Sequence, residues 1–303
     1  MALIQILLDI IAPIFVLIGM GFFMEKKTRY DLQVLTKALL YLIMPATLVT
    51  TLSTSKLSSA YVWDTLFFCL AMLILLFLLS AGIARIFRYN KQMTRAFNLS
   101  VMYYNSGNYG FPASDLAFPG LGLAVQAIIL CVQNFLIFTL GFFIISARHI
   151  PARQAFTQMF KMPFIYAIIM AWLIRSYHIQ MPAFIWLPLE YLTQALIPMA
   201  LLTLGIQLAK TKINHAWQVS LVSLLCRLFI SPIIGYGLVF LMDIDQAIAP
   251  ILILSTSYPT AINTVLIAME FDSEEEFAAN AVFLSTISSV ITVAAVIYMV
   301  KQF

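Results

Sequence analysis

Stretches of about twenty apolar residues follow one another along this chain almost from end to end, separated only by short polar connections. Such a stretch, wound as an α-helix, rises about 1.5 Å per residue and crosses a hydrocarbon layer about 30 Å thick with every backbone N–H and C=O satisfied inside the segment. Of 303 residues, 62% are hydrophobic and 10% charged, which is more apolar surface than one aqueous core can bury. Lipid is therefore the solvent these segments require, and the pattern leaves no space for a separate soluble domain.

Ten spans are expected, at residues 6–24, 32–52, 62–87, 96–117, 121–146, 163–176, 188–208, 216–241, 248–269 and 277–300. An even number places both termini on one side. The connections then alternate: one side holds Lys26, Lys27, Arg29, Arg85, Arg88, Lys91, Arg95, Arg148, Arg153, Lys161, Lys210 and Lys212, the other only Lys56, Arg175 and Lys301. By the positive-inside rule the first side is cytoplasmic and both termini are extracytoplasmic. Glu270, Asp272, Glu274, Glu275 and Glu276 also fall on the cytoplasmic side, where they read as a solvated loop and helix start, because acidic residues weigh little in the rule. The net charge of +4 is thus explained by membrane orientation rather than by nucleic acid. Cys69, Cys131 and Cys226 lie inside apolar stretches without disulfide or zinc spacing and read as packing residues. The first stretch, followed by its positive charges, is the reverse of a cleavable signal peptide and is expected to stay as the first helix.

The two halves echo one another. Pro13 matches Pro163, Pro45 matches Pro198, Trp63 matches Trp217 and Pro112 matches Pro259, all in the same order at a separation near 150 residues. A repeat of five spans turns its second copy upside down in the membrane, the architecture of many secondary transporters. The fold expected is all-α and polytopic, with residues 1–147 as the first repeat, 148–161 as a cytoplasmic connection and 162–303 as the second repeat.

Spans four and nine hold the residues least at home in hydrocarbon. Span four reads YYNSGNYGFPASDLAF and span nine ILSTSYPTAINTVLIAM. Gly107, Gly110 and Pro112 in the first, and Pro259 in the second, predict broken helices, because proline lacks a backbone donor and glycine unwinds cheaply. Broken backbone is tolerated at membrane depth only where protein or a water-filled cavity satisfies it, so the two breaks are expected to meet as a binding site. Half-helix ends there present N–H groups that favour an anion. Asn105, Asn108, Asn263, Thr260, Ser257 and Gln133 are candidate substrate-binding residues, each with packing glue as its alternative reading. Gln126 and Asn134 belong to the same candidate lining. Arg227 is the one cation well inside a span. It reads as the partner of a substrate carboxylate, as an ion pair with Asp115, or as a residue reaching a wet cavity. Asp115 is also a candidate coupling residue.

At the two breaks the chain resembles the auxin efflux carrier family, which belongs to the bile acid, arsenite and riboflavin transporter-type superfamily. The motifs are NSGNYGFP with Asn105 and Pro112, IPMALLTLGIQL in span seven and SYPTAINTVLIAMEF in span nine. The resemblance implies a sodium/proton antiporter-like fold with a scaffold of spans one, two, six and seven and a moving unit of spans three to five and eight to ten. It also implies a homodimer, an elevator-like motion, an organic anion (carboxylate) as substrate met by Asn105, and a bacterial inner (plasma) membrane location. Relatives of the wider fold bind sodium through acidic residues near the crossing, and span nine carries no carboxylate cluster. No cofactor or metal is expected. A cation/proton antiporter or a non-transporting membrane sensor stays open as an alternative. An intramembrane enzyme does not fit, since the spans hold no HExxH, GxS or paired-Asp motif.

The charge asymmetry has a direct test. In an otherwise cysteine-free protein, the thiol of Arg153→Cys is expected to react with an impermeant reagent only after right-side-out cells are permeabilised. Labelling of intact cells would reverse the orientation.

Overall fold

The structure is a computed structural model that describes residues 2–55, 57–141, 163–211, 217–270 and 274–302. Lys56, Lys212, Asp272 and the 148–161 connection, all used in the orientation argument, lie outside the described residues. In order, the helices are α1 (Leu3–Thr28), α2 (Leu32–Thr54), α3 (Ser59–Ile86), α4 (Lys91–Met102), α5 (Gly110–Ala117), α6 (Leu121–Leu136) and α7 (Pro163–Ser176). They continue with α8 (Ala183–Gln194), α9 (Leu196–Lys210), α10 (Trp217–Leu241), α11 (Ala249–Ser255), α12 (Asn263–Glu270) and α13 (Glu275–Val300). Among the described residues, α1, α2, α3, the α8–α9 pair, α10 and α13 are each long and apolar enough to cross a membrane. Phe23, Phe184, Leu241 and Ile291 stand exposed, as residues that meet an apolar surrounding do. The protein is a polytopic, all-helical integral membrane protein.

Short polar connections start several helices by capping. Asp31, Ser58 and Asn90 accept backbone N–H groups from Gln33, Tyr61 and Met93 at the first turns of α2, α3 and α4. Inside the spans, proline sets the irregularities. A π-turn covers Leu7–Ile11, Leu39–Ile43 and Cys226–Ile230, and in each case a proline follows two residues later, at Pro13, Pro45 and Pro232. A proline ring clashes with the carbonyl four residues back, here that of Asp9, Tyr41 or Leu228. The wider turn moves that carbonyl aside and lets the residue before proline bond five back instead, as Ala12 does to Leu7, Met44 to Leu39 and Ser231 to Cys226. These helices bend without breaking.

Two other spans do break. Residues 103–109 separate α4 from α5, and residues 256–262 separate α11 from α12. Pro259 lies within its break, but Pro112 does not. It is the third residue of α5, in the first turn, where a helix needs no donor, so the unwinding falls upstream on Gly107 and the asparagines. Span seven also differs from the sequence reading. Its helix starts at Ala183 rather than 188, directly after Pro182, and carries Pro188 within it. The chain is then interrupted at Ala195, because Pro198 disfavours helical continuation over the Gln194 carbonyl four residues back.

Packing follows two sets of neighbours. α9 runs along α1, while α2 contacts α7 and α8. Elsewhere α3 packs on α4 and α6, α5 on α6, and α10 and α11 on α13. The α1–α9 contact is backbone to backbone. A Cβ at Gly205 would come within 1.9 Å of the Ile18 carbonyl oxygen, and one at Gly21 within 2.2 Å of the Leu202 oxygen. Small residues are how membrane helices come this close. Gly205→Val is therefore expected to lower stability by about 3 kcal/mol or prevent folding, while Gly237→Ala, which meets nothing within 4 Å, serves as the near-neutral control. Thermal unfolding in detergent checks both.

Candidate functional site: the crossing of the broken helices

The two breaks meet as a pair of very short strands. Tyr104 and Thr260 form an isolated antiparallel β-bridge. The Asn105 N–H donates to the Pro259 carbonyl at 2.8 Å, and the Ala261 N–H to the Tyr103 carbonyl at 3.0 Å. Each broken span thus supplies partners that the other has lost by unwinding, as backbone at membrane depth requires where it is buried in protein. Side chains complete the joint. The Thr260 N–H donates to Ser285 Oγ and its hydroxyl to the Ser100 carbonyl, both at 3.0 Å. Ser114 Oγ meets Tyr258 Oη at 2.7 Å and donates to Gln126 Oε1 at 3.1 Å, while Gln126 Nε2 donates to the Ser106 carbonyl at 2.7 Å.

A cavity of about 740 Å³ opens beside this joint. Its walls include the break residues Tyr103 to Asn108, Ala261 and Ile262, with Asn263 at the start of α12, Leu39 and Met44 of α2, Leu130, Gln133 and Asn134 of α6, and Ile137. Lys37, Lys210, Glu275 and Glu276 lie on its lining at the helix ends. Lys210 is tied to the end of α1, with Nζ 3.5 Å from Glu25 Oε1 and donating to the Tyr30 carbonyl at 2.6 Å. The cavity therefore joins an amide-rich deep end to a mouth that carries charges of both signs.

Of the residues singled out from sequence, Asn105, Gly107, Asn108, Gln133, Asn134 and Asn263 line this cavity. Asn105 is buried, and its geometry is informative. Its Oδ1 accepts the Asn108 N–H at 3.1 Å, which fixes the amide orientation and leaves Nδ2 as a buried donor without a partner. Gln133 Oε1 is likewise a buried acceptor without a partner. An orphaned amide in a cavity wall is costly unless a bound molecule or water completes it. Asn108 acts on Asn105 through its backbone. Asn263 is the first residue of α12 and stands where that helix directs its N–H groups.

Other candidates lie elsewhere. Ser257 and Thr260 are fully buried and brace the joint, Ser257 by donating to the Leu254 carbonyl. Gln126 is a buried brace too. Asp115 lies on α5, off the cavity, and forms no salt bridge with Arg227. Arg227 is also off the cavity lining and fully buried, with its guanidinium on the carbonyls of Val101 and Thr256 and on Ser231 Oγ. Sequence reasoning passed over Tyr103, Tyr104, Ser106, Lys37 and Gln207 in the lining. The tyrosines directly precede Asn105 within the unwound segment, so their place in the break was the available signal.

A helical membrane protein with two unwound segments that cross beside a polar-ended cavity has the fold and site expected of a membrane transporter. The chain is a member of the membrane transport protein family, the auxin efflux carrier-like family its motifs resemble; the family model matches residues 6–155 and 151–297. It is 23% identical over 301 residues, 95% of this chain and 96% of the other, to a protein of Methanocaldococcus jannaschii named as an uncharacterized transporter. It is also 30% identical over 105 residues, 34% of each chain, to an uncharacterized transporter of Methanothermobacter thermautotrophicus. The family is one of transporters and not of enzymes.

Close packing around the joint makes a prediction. A Cβ at Gly110 would stand 2.4 Å from Gln126 Nε2, which is held by its bond to Ser106. Gly110→Ala is expected to displace that amide and cost about 1–3 kcal/mol. Adding Gln126→Ala should then cost little more, because the two changes remove the same contact. Additive losses in melting experiments on the three variants would contradict this.

Proposed function

We propose that the chain is a secondary carrier that moves a small organic anion, a carboxylate, across the membrane by alternating access, with the anion held at the crossing. The observation that carries this reading is the buried, unpartnered Nδ2 of Asn105 beside the cavity. A fixed neutral donor there suits an acceptor oxygen, and the α12 N-terminus adds partial positive charge. The cavity residues drawn from the two breaks are neutral, and its carboxylates, Glu275 and Glu276, belong to the first turn of α13. That distribution favours an anion over a cation or proton antiporter, which needs titratable carboxylates at the crossing.

The packing supports a ten-span, inverted-repeat arrangement in which α1, α2, α7, α8 and α9 form a scaffold and the other helices a mobile unit. Under the orientation argued from the connections, the cavity mouth with Lys37 and Lys210 faces the cytoplasm, and the described conformation is open inward. Elevator-like movement of the crossing past α2 and α9, in a homodimer, would carry the site to the other face.

Purified protein titrated with small mono- and dicarboxylates in a thermal-shift assay tests the substrate class. For any carboxylate that stabilises the protein, Asn105→Ala is expected to weaken binding about tenfold or more, the loss of one hydrogen bond to a charged group, with little change in the melting point of the empty protein. Asn105→Asp should abolish binding through like charge. Unchanged affinity in Asn105→Ala, or stabilisation by metal cations and by no anion, would overturn the reading.

A further inference from the structure

Arg227 sits where two helices stop. Val101 belongs to the last turn of α4, and Thr256 directly follows α11. Unwinding leaves the last carbonyls of each half-helix without intrahelical donors, and the dipoles of both point their negative ends at this place. Arg227 Nη1 donates to the Val101 carbonyl at 2.8 Å. Nη2 donates to the Thr256 carbonyl and to Ser231 Oγ, and that hydroxyl donates to the same Thr256 oxygen at 2.8 Å. Arg227 Cζ lies over the ring of Tyr104, itself a bridge residue, 5.0 Å from the ring centroid. No described carboxylate pairs with Arg227.

A buried charge without a counter-ion is expensive in a membrane, so its retention requires compensation by oriented dipoles. Two half-helix C-termini supply that compensation, and in carriers with broken helices such ends are where a coupling cation is otherwise coordinated. We propose that Arg227 is a built-in cation for the crossing: a positioning residue that holds the C-terminal ends of α4 and α11 together, fills the place a sodium ion would take, and makes the crossing independent of metal cations. The π-turn at Cys226–Ile230 places it, since Arg227 is the second residue of that turn and Ser231, which braces the guanidinium, makes the bond that closes it. The proposal does not depend on which solute the cavity takes.

The test is thermal unfolding of the intact protein in detergent, in equal concentrations of sodium, potassium and choline chloride. Wild type is expected to melt within about 1 °C in all three, because no cation site is vacant. Arg227→Gln should melt about 10 °C lower in choline, with two helix ends left uncompensated, and should regain several degrees in sodium. Arg227→Lys keeps the charge without the two-pronged reach and should recover at least half of the loss. Sodium-specific stabilisation of wild type overturns the proposal. So does a glutamine variant that melts with wild type or falls equally in every salt, which is the behaviour of a packing residue. Should Arg227→Gln yield no folded protein, folded Arg227→Lys supports the proposal and equal failure of the lysine variant overturns it.

Discussion

A backbone amide or carbonyl released inside a membrane must find a new partner, and the rest of this structure is arranged around that requirement. Two helices unwind at mid-span, releasing donors and acceptors from their own hydrogen-bond ladders. They are answered by pairing the two unwound segments with each other through the Tyr104–Thr260 bridge, by hydroxyls from Ser285 and Thr260, and by a guanidinium from α10. Without the second break, the first would be a buried defect. With it, the pair becomes a hydrogen-bonded joint, and two of the buried atoms left without a partner, Asn105 Nδ2 and Gln133 Oε1, belong to residues that line the cavity.

The same polar residue types divide into two jobs at this joint. Gln126, Ser257 and Thr260 have their hydrogen bonds satisfied within the protein and hold the joint closed. Asn105 and Gln133 keep one buried polar atom each without a partner and line the cavity. Gln126 and Gln133 are the same residue type, so the difference between them is one of position around the crossing. Satisfied groups add to the integrity of the joint, whereas the two unpartnered atoms leave a donor and an acceptor uncommitted within the protein.

Proline acts in three ways along the chain. Where a π-turn precedes it, as at Pro13, Pro45 and Pro232, the helix bends and stays continuous. At Pro112 it starts a half-helix, and at Pro259 it lies in an unwound segment and offers its carbonyl to Asn105. Composition shows that these residues disturb helices, but whether the result is a bend, a start or a break depends on neighbours. Glycine and asparagine near Pro112 permit unwinding, whereas the Leu7–Ile11 turn before Pro13, without either, keeps its helical bonds by widening.

Much of the candidate site was legible from residue type alone. Amides, glycines and prolines in spans four and nine violate the rule that lipid-facing helices are apolar, and only a cavity or a joint explains them. The membrane-embedded helical class, the family motifs and the location of the breaks were likewise written in the sequence. Tertiary structure decided which polar atoms stay free, that Pro112 opens a half-helix rather than lying in the break, and that Arg227 turns to the carbonyls of Val101 and Thr256 instead of Asp115 or the cavity. The physical reason is that hydropathy and backbone chemistry are properties of single residues and short segments. The satisfaction of a hydrogen bond or a buried charge is a property of pairs brought together from distant parts of the chain, as residues 104 and 260 are here.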